Sequence, residues 1–320
     1  MAAMERILTN DFSWSRSRDE KFRECLRAYY LHYYRSWGGW EPDAPADIRR
    51  LYILKKLSNR YSWAGSVVHD SIRHFLLGMR FGRSIDGARM IDRAHGLMRQ
   101  DYVYSRTKSY WSEPYRRHFR GLVEHEYAER IEAEEWKRNW ENARAALTWF
   151  FQSRWAALAR SLRPDQWLEV DSSVFEESNF LLDGVKVFAI PDFAYIADDG
   201  TPVVVDWKTG GVRDRYGDQV LGYALYISSR YNFPVEAVRT SLVFLNAGVE
   251  EMVAVDSESL ATFKLRFRRS VDAMKQLTVD PSSNSPRPED QFPMTSDLSL
   301  CARCVFRREC GREHAVAHAA

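Results

Sequence analysis

Two aspartates and one lysine occupy positions in the sequence from which they could act together on a phosphate. Asp192 lies in one candidate strand, and Asp206 and Lys208 close the next. Side chains alternate along a strand, so we expect Asp206 and Lys208 to share one face while Trp207 points to the other. Carboxylates and water are natural ligands for magnesium or manganese, and an ammonium group can stabilise developing negative charge. The trio predicts phosphodiester hydrolysis, although an Asp-x-Lys sequence alone also suits an ordinary surface ion pair.

The four cysteines form a second group with cofactor-binding chemistry. Cys301, Cys304 and Cys310 form the pattern C-x2-C-x5-C, and Cys25 lies near the N-terminus. Four thiolates can hold an iron–sulfur cluster or a zinc ion, and their spacing barely separates the two. Unligated buried thiols are a third interpretation. A shared cofactor would tie the two ends of the chain together, so its loss should loosen the fold.

The composition is that of an ordinary globular chain of 320 residues, with 45% hydrophobic residues and a net charge of only +2. The total charge does not indicate nucleic acid, although charge can be segregated locally. We find no targeting pattern and no apolar run long enough for a membrane span, so we expect a cytoplasmic protein without membrane contact. Structural disulfides are rare in that compartment, which favours cofactor binding by the cysteines. The sequence has no phosphate-binding GxxxxGK[ST] loop, so an ATP-driven partner would be a separate chain.

Hydrophobic periodicity and turn residues predict the elements that position these side chains. Helices are expected at about 18–35, 46–58, 62–79, 126–160, 214–230 and 257–277. Strands are expected at 167–176, 181–190, 192–198, 202–208, 237–246 and 250–255. Asp183-Gly184 and Asp199-Gly200 are turn signals, so the first four strands are predicted to form an antiparallel meander.

The segment from Arg93 to Arg120 contains seven Lys or Arg residues and only two acidic residues, with aromatic residues interleaved among them. We expect this segment to be irregular. Cations neutralise phosphates and rings stack on unpaired bases, so the mixture suits a groove for single-stranded nucleic acid. A solvated surface whose rings fold into the core is the alternative. The candidate nucleic-acid-binding residues are Arg106, Lys108, Tyr110, Trp111, Arg116 and Arg117.

The residues around the two aspartates resemble a known nuclease motif. Pro191-Asp192, followed after thirteen residues by Asp206-Trp207-Lys208, resembles the motif that names the PD-(D/E)XK superfamily. Thr209-Gly210 resembles its RecB-like branch in particular. That branch also carries a Gln and a Tyr four residues apart on the next helix, and Gln219 and Tyr223 have this spacing, which places them on one helix face.

The same resemblance extends upstream and implies roles for individual residues. The RecB-like branch carries a histidine after a glycine on an earlier helix, which matches Gly65 and His69. Glu169 matches an acidic position of the family, although an ordinary exposed strand residue explains it nearly as well. Ala189 stands where the family often has Gly, a change too small to disturb a metal. The resemblance implies metal ligation by His69, Asp192, Asp206 and the backbone carbonyl of Trp207, and catalytic roles for Asp192, Asp206, Lys208, Gln219 and Tyr223.

One N-terminal and three C-terminal cysteines around such a core are similar to the pattern of the CRISPR-associated RecB-like exonucleases, AddB and eukaryotic exonuclease five. The resemblance implies that Cys25, Cys301, Cys304 and Cys310 hold a 4Fe–4S cluster, with zinc as the alternative. Leu26 replaces the proline that often follows the first cysteine in this group. The resemblance leaves residues 80–165 unaccounted for.

The resemblance implies an α/β fold with a restriction-endonuclease-like core, in which helices flank a mixed central sheet. The expected segments are a helical segment at 1–60, a helical part with the basic aromatic insertion at 61–165, the nuclease core at 166–280 and an iron–sulfur cap and tail at 281–320. The implied function is Mg²⁺- or Mn²⁺-dependent exonuclease cleavage of single-stranded DNA in repair, recombination or CRISPR spacer acquisition. A helicase or a CRISPR-adaptation protein is the implied partner. The alternatives are an RNA-directed nuclease and a non-catalytic iron–sulfur or zinc module that binds nucleic acid or a helicase.

Overall fold

The structure is a computed structural model that describes residues 9–113, 120–171, 179–211 and 216–313. Its α-helices are α1 (Arg16–Glu24), α2 (Leu26–Tyr30), α3 (Ala46–Leu54), α4 (Arg60–Arg80), α5 (Gly87–Arg106), α6 (Val123–Glu126), α7 (Ala133–Gln152), α8 (Arg154–Ser161), α9 (Gly217–Tyr231), α10 (Ser257–Lys275) and α11 (Leu298–Ala302). Its strands are β1 (Ser13–Ser15), β2 (Trp167–Glu169), β3 (Asn179–Leu182), β4 (Val185–Phe188), β5 (Phe193–Ile196), β6 (Pro202–Lys208), β7 (Arg239–Phe244), β8 (Val249–Val253), β9 (Thr278–Asp280) and β10 (Ser285–Pro286). Among these helices, none is both long and apolar enough to cross a membrane.

The chain divides into two compact units. The terminal unit comprises Met1–Lys55, Leu181–Phe188 and Leu265–Ala320, and the central unit comprises Lys56–Phe180 and Ala189–Lys264. Each unit combines stretches that are distant in the sequence, whereas the sequence predicted four consecutive segments. The four cysteines belong to the terminal unit, and the predicted catalytic residues belong to the central unit.

A five-stranded sheet in the order β2-β5-β6-β7-β8 forms the middle of the central unit. Strands β6 and β7 are parallel, and the other neighbours are antiparallel, so the sheet is mixed as predicted. Strand β6 is buried on both faces over Pro202–Trp207, which explains why its sequence is a nearly continuous apolar run. Its antiparallel register with β5 pairs Phe193 with Val205 and brings the start of β5 beside the end of β6.

Helices α4 and α7 bury their apolar faces in the hydrophobic core of the central unit. Ile72 and Phe75 of α4 and Phe150 of α7 belong to the same buried cluster as Trp207 of β6. Phe150 and Trp155 meet the Trp207 indole edge-on, at centroid distances of 5.4 and 5.5 Å. Trp207 therefore points into the core, as strand alternation predicted for the residue between Asp206 and Lys208.

Two helix predictions were wrong. Helix α5 covers the first half of the segment at 93–120 that was expected to be irregular, and it begins at Asp86, whose carboxylate accepts from the Ala88 amide. The single helix expected at 126–160 is two helices, α7 and α8. Ser153 has extended backbone, and its hydroxyl accepts from the Trp155 amide at 3.2 Å. Serine is a favoured N-cap residue, so it ends one helix and begins the next.

The predicted antiparallel meander was correct for β5 and β6 but wrong for β4. Strand β4 pairs in parallel with β1, with Trp14 opposite Val187, in a sheet ordered β1-β4-β3. The two turns that punctuate this region were predicted correctly. Asp183 and Gly184 have φ values of 50° and 74°, the left-handed pair that a tight hairpin requires. At the second turn, Gly200 also has a positive φ, of 82°.

Candidate active site

The predicted catalytic residues of the central unit converge on one pocket of about 670 Å³. His69 reaches it from α4, Asp192 precedes β5, and Lys208 ends β6. The remaining predicted residues in the pocket lining are Asp206, Trp207, Gln219 and Tyr223. His69 and Tyr223 therefore meet at one site although they are 154 positions apart in the sequence.

Asp192 is held from both sides. Its Oδ1 lies 3.1 Å from His69 Nδ1, and its Oδ2 accepts a hydrogen bond from the Trp207 amide at 2.8 Å. The second contact follows from the antiparallel pairing of β5 and β6, which brings the residue before β5 to the end of β6. These two contacts fix the orientation of the Asp192 carboxylate.

Asp206, Lys208, Gln219 and Tyr223 form a closed ring of polar contacts. Lys208 Nζ lies 2.5 Å from Asp206 Oδ2 and donates to Gln219 Oε1 at 2.8 Å. Gln219 Nε2 donates to the Tyr223 hydroxyl at 2.5 Å, and that hydroxyl donates to Asp206 Oδ1 at 3.1 Å. The ring forms because strand alternation places the first two residues on one face and helical spacing places the other two on one face.

Burial and mutual charge separate the pKa values of the two aspartates. Burial and then the charge of Asp192 raise the pKa of Asp206 to about 6, against the opposing effect of Lys208. Burial acts to raise the pKa of Asp192 as well, but the neighbouring His69 outweighs it and holds that pKa below its usual value. Burial acts to lower the pKa of His69, yet the Asp192 carboxylate raises it to about 9. Two cationic groups thus compensate two buried carboxylates.

The pocket is also lined by residues that the sequence did not predict. The Lys208 ammonium lies 4.3 Å from the centre of the Tyr216 ring, a cation–π contact. Asn139 of α7 also lines the pocket and is only 3% exposed, and its Nδ2 has no hydrogen-bond partner among the described residues. Asn142 and Asn246 line the same pocket. No local sequence signal identifies these residues, because a single Asn or Tyr has no characteristic spacing from the motif residues.

At Gly65, helix α4 and the end of β6 approach each other so closely that a side chain would not fit without a shift. A Cβ atom at this position would lie 2.9 Å from Thr209 Oγ1. Both residues line the pocket, so the glycine lets the helix that carries His69 come close to the strand that carries Lys208.

Glu169 is not the exposed strand residue that one interpretation of the sequence offered, since it is only 3% exposed. Its Oε1 accepts from the hydroxyls of Tyr226 and Tyr231 at 2.9 and 2.8 Å and lies 3.0 Å from Arg230 Nε. Glu169 does not line the pocket. It instead fixes α9, the helix that carries Gln219, against β2.

The donor atoms of the pocket suit a hard divalent cation. Asp206 Oδ2 is buried and, within the described part of the chain, has an ion pair with Lys208 but no hydrogen bond. Carboxylate oxygens are normal ligands of Mg²⁺ and Mn²⁺, and neutral imidazole is a common metal ligand in proteins. Within the described ranges, no three His, Cys, Asp or Glu side chains stand in an arrangement that would itself hold a metal ion. His69 and Lys208 occupy the carboxylate oxygens in this arrangement.

A family comparison agrees with this geometry. A model of the PD-(D/E)XK nuclease superfamily matches residues 13–311. The chain belongs to the PD-(D/E)XK nuclease superfamily. Members of this superfamily are nucleases that usually use Mg²⁺ or Mn²⁺. No curated protein matches the chain by sequence.

In this PD-(D/E)XK chain, the predicted cluster cysteines all lie in the terminal unit. Cys25 interrupts the helix expected at 18–35, because it has extended backbone and its Sγ accepts from the Ala28 amide at 3.5 Å. Cys304 Sγ accepts from the Phe306 amide at 3.4 Å. Backbone N–H groups directed at sulfur are a common feature of thiolate ligands, because they stabilise negative charge.

The thiols of the terminal unit also influence one another electrostatically. Burial, and then the neighbouring Cys304, raises the pKa of Cys310 to about 11. Arg312 Nη1 donates to Cys301 Sγ at 3.2 Å, and this bond raises the pKa of the guanidinium. A cationic donor beside a thiol favours its thiolate form. Among the described residues, the four thiols are nevertheless not arranged as a group that would itself hold a metal ion.

The basic aromatic segment of this superfamily member is largely engaged in internal contacts. Tyr110 is fully buried and donates to Glu126 at 2.8 Å, so the expectation that its ring stacks on a base was wrong. Trp111 Nε1 donates to the same carboxylate at 3.0 Å, and Lys108 Nζ donates to the Glu126 carbonyl at 2.8 Å. The buried Glu126 carboxylate explains these contacts, because burying a charge is costly unless the charge is hydrogen-bonded. Arg106 is exposed at the end of α5, and Arg116 and Arg117 lie outside the described residues.

Proposed function

We propose that this chain is a metal-dependent nuclease that cleaves single-stranded DNA as an exonuclease, and that it belongs to the RecB-like branch with an iron–sulfur cluster. The observation that carries the proposal is the pairing of the Asp206–Lys208–Gln219–Tyr223 ring with the Asp192–His69 pair in one pocket. DNA repair, recombination and CRISPR spacer acquisition are the processes in which such an activity would act. A helicase or a CRISPR-adaptation protein is the partner we propose.

The metal is proposed to bind at the carboxylates of the pocket. His69, Asp192 and Asp206 would hold Mg²⁺ or Mn²⁺, together with the backbone carbonyl of Trp207. When bound, such an ion polarises the phosphate and lowers the pKa of a bound water. The assignment of Asp206 as a ligand is supported by its buried Oδ2, which among the described residues makes an ion pair with Lys208 but no hydrogen bond.

The remaining ring residues position the lysine. Gln219 Oε1 accepts from Lys208 Nζ, and the Tyr216 ring lies against the same ammonium. These contacts restrict a side chain that otherwise has many rotamers, so its charge is fixed where negative charge develops on the phosphate. Tyr223 donates to Asp206 and accepts from Gln219, which orients both partners.

The four cysteines are proposed to hold a 4Fe–4S cluster, with zinc as the alternative. Cys25, Cys301, Cys304 and Cys310 would be its ligands. The N–H donors to three of these sulfur atoms support the assignment. The cluster would link the N-terminal and C-terminal stretches of the terminal unit and thereby stabilise it.

Cleavage of labelled single-stranded DNA tests the nuclease proposal. We expect cleavage that requires Mg²⁺ or Mn²⁺, stops with a chelator and is lost in Lys208→Ala. Lys137→Ala is the matched control, because Lys137 belongs to the same unit, is 62% exposed and does not line the pocket. Asp206→Ala should abolish cleavage while DNA binding remains. Matched RNA and duplex DNA strands establish the substrate class. An inactive wild-type protein that still binds DNA would favour the non-catalytic module instead.

Anaerobic purification tests the cluster proposal. We expect a brown protein with thiolate-to-iron absorption, and iron together with sulfide on elemental analysis. Cys25→Ser should lower the iron content and the melting temperature together. A colourless protein with zinc bound would replace the cluster with a zinc site and leave the nuclease proposal standing.

A further inference from the structure

An aromatic groove lies on the central unit beside the pocket and takes no part in the proposed chemistry. Helix α5 contributes His95, Arg99 and Tyr102, and helix α7 contributes Trp136 and Trp140. The groove has a volume of about 210 Å³, which is too small for a folded partner element but adequate for one or two flat rings. We propose that it binds unpaired bases of the nucleic-acid strand whose scissile phosphate lies in the pocket. This inference rests on the proposed function and adds a second subsite to it.

The rings of the groove form a rigid stacking platform. The His95 and Trp140 rings are stacked, with centroids 4.5 Å apart and planes 22° apart, and His125 stacks on Trp136 at 5.1 Å and 24°. Tyr102 meets Trp136 edge-on at 5.1 Å. Trp136 and Trp140 are half-buried, and their inner surfaces pack against the hydrophobic core. The rings are therefore held in place before any ligand binds, which lowers the entropy cost of stacking.

Exposed arginines lie in and near the groove and could contact a phosphate backbone, beside the acidic residues Glu134, Glu135 and Glu141 of α7. Arg99 lines the groove and is exposed, and Arg106 and Arg144 are exposed at helical spacings of seven from Arg99 and four from Trp140. None of the three arginines forms an ion pair with a described carboxylate, and Glu141, next to Trp140, lies 3.9 Å from Lys137. Cations beside accessible aromatic rings are a combination that binds single strands.

The groove and the pocket share two helices, so one strand can occupy both. On α4, Trp63 lines the groove, while its neighbours Ser62 and Ala64 line the pocket. On α7, Trp140 lines the groove, while Asn139 lines the pocket. The two subsites therefore lie on adjacent faces of the same two helices, so a few nucleotides can connect them. A duplex keeps its bases stacked internally, so this groove selects strands with unpaired bases.

Binding of DNA strands that lack bases tests the inference. We would measure the affinity of an oligothymidylate, and of two strands with abasic residues in the 5′ or the 3′ half, in the presence of a chelator. The wild type should bind one of the two abasic strands roughly 5- to 150-fold more weakly than the full strand, as expected for loss of stacking on an aromatic ring. Trp140→Ala should lose the same factor on the full strand and become insensitive to that abasic substitution. Trp140→Phe should recover most of the affinity, because it keeps a ring.

Two further variants separate the groove from general effects on folding. Arg99→Ala changes an exposed side chain and should weaken all strands and reduce the salt dependence of binding. Phe81→Ala removes a 68% exposed ring of the same unit that does not line the groove and should change nothing. Equal affinity of the wild type for full and abasic strands would overturn the inference. The inference would also fail if the wild type self-associates and Trp140→Ala abolishes this self-association, because the groove would then be a protein interface. Base-dependent binding without any metal-dependent cleavage would instead refute the proposed nuclease while leaving the groove.

Discussion

The hydroxyl of Tyr223 is the most informative single group to remove from the pocket. Tyr223 is 6% exposed, and its hydroxyl donates to Asp206 and accepts from Gln219. Tyr223→Phe keeps the ring and deletes both hydrogen bonds, so the closed ring of contacts around Lys208 opens. A hydrogen bond to a charged group contributes roughly 1.5–3 kcal/mol. If that loss falls on the transition state, kcat should drop roughly 10- to 150-fold, since about 1.4 kcal/mol is a factor of ten.

Steady-state cleavage of labelled single-stranded DNA, with a melting curve for each variant, would measure this effect. Tyr226→Phe is the matched control, because it removes another buried tyrosine hydroxyl from α9 whose partner is Glu169, outside the pocket. We expect Tyr226→Phe to lower the melting temperature with little change in kcat, and Tyr223→Phe to lower kcat with little change in KM.

A second substitution tests whether the ring acts as a unit. Gln219→Leu alone should also lower kcat, because it removes the acceptor that holds Lys208. The double variant Tyr223→Phe/Gln219→Leu should be no slower than the slower single variant, because the ring is already broken. Independent, multiplicative losses, or an unchanged kcat in Tyr223→Phe, would refute the idea that the four residues position the lysine together.

Three further predictions follow from other contacts. Gly65→Ala places a Cβ 2.9 Å from Thr209 Oγ1 but gains about 1 kcal/mol of helix propensity. We therefore expect kcat/KM to fall while the melting temperature does not. A second substitution, Thr209→Ala, should restore kcat/KM because it removes the close contact. If the loss persists in that double variant, the close contact is not its cause. Asn139→Ala removes a buried amide nitrogen that has no hydrogen-bond partner among the described residues. If this nitrogen donates to the substrate, KM should rise roughly 2- to 10-fold with stability unchanged or improved. A destabilised fold with normal KM would assign Asn139 a structural role. Burial holds the pKa of His125 below its ordinary 6.5, so the unfolded chain binds the proton first and the free energy of unfolding should decrease as pH falls below about 6.5. Urea unfolding across this range should show a shallower decline for His125→Gln, and an identical decline would contradict the assignment.

Features that depend on neighbouring residues could be predicted from the sequence. The tight turn at Asp183-Gly184 requires left-handed backbone, which these residue types tolerate, and both residues adopt it. The shared face of Asp206 and Lys208 follows from strand geometry alone, and that of Gln219 and Tyr223 from helix geometry. Such features are encoded within a few residues, so the wider fold does not alter them.

Pairings between distant segments could not be predicted in the same way. Strand β4 was expected to pair next with the strand that follows it, yet the strand on that edge is β1, where Trp14 lies opposite Val187. An apolar strand can be covered by any other apolar strand, and the sequence of one segment does not say which. The helix break at Ser153 and the helix at Gly87–Arg106 were not predicted, because cap residues and polar helix faces are weak local signals.

The sequence by itself determined the chemical content of this protein: two carboxylates and a lysine at strand ends, four cysteines, and a segment rich in rings and cations. Only the tertiary structure decided which of these groups meet. It places His69 Nδ1 3.1 Å from Asp192 across 123 residues, and it buries Tyr110 against Glu126 while leaving Trp140 in an open groove. The physical reason is that local periodicity fixes the face on which a side chain lies, whereas burial and contact depend on the segment that packs against that face.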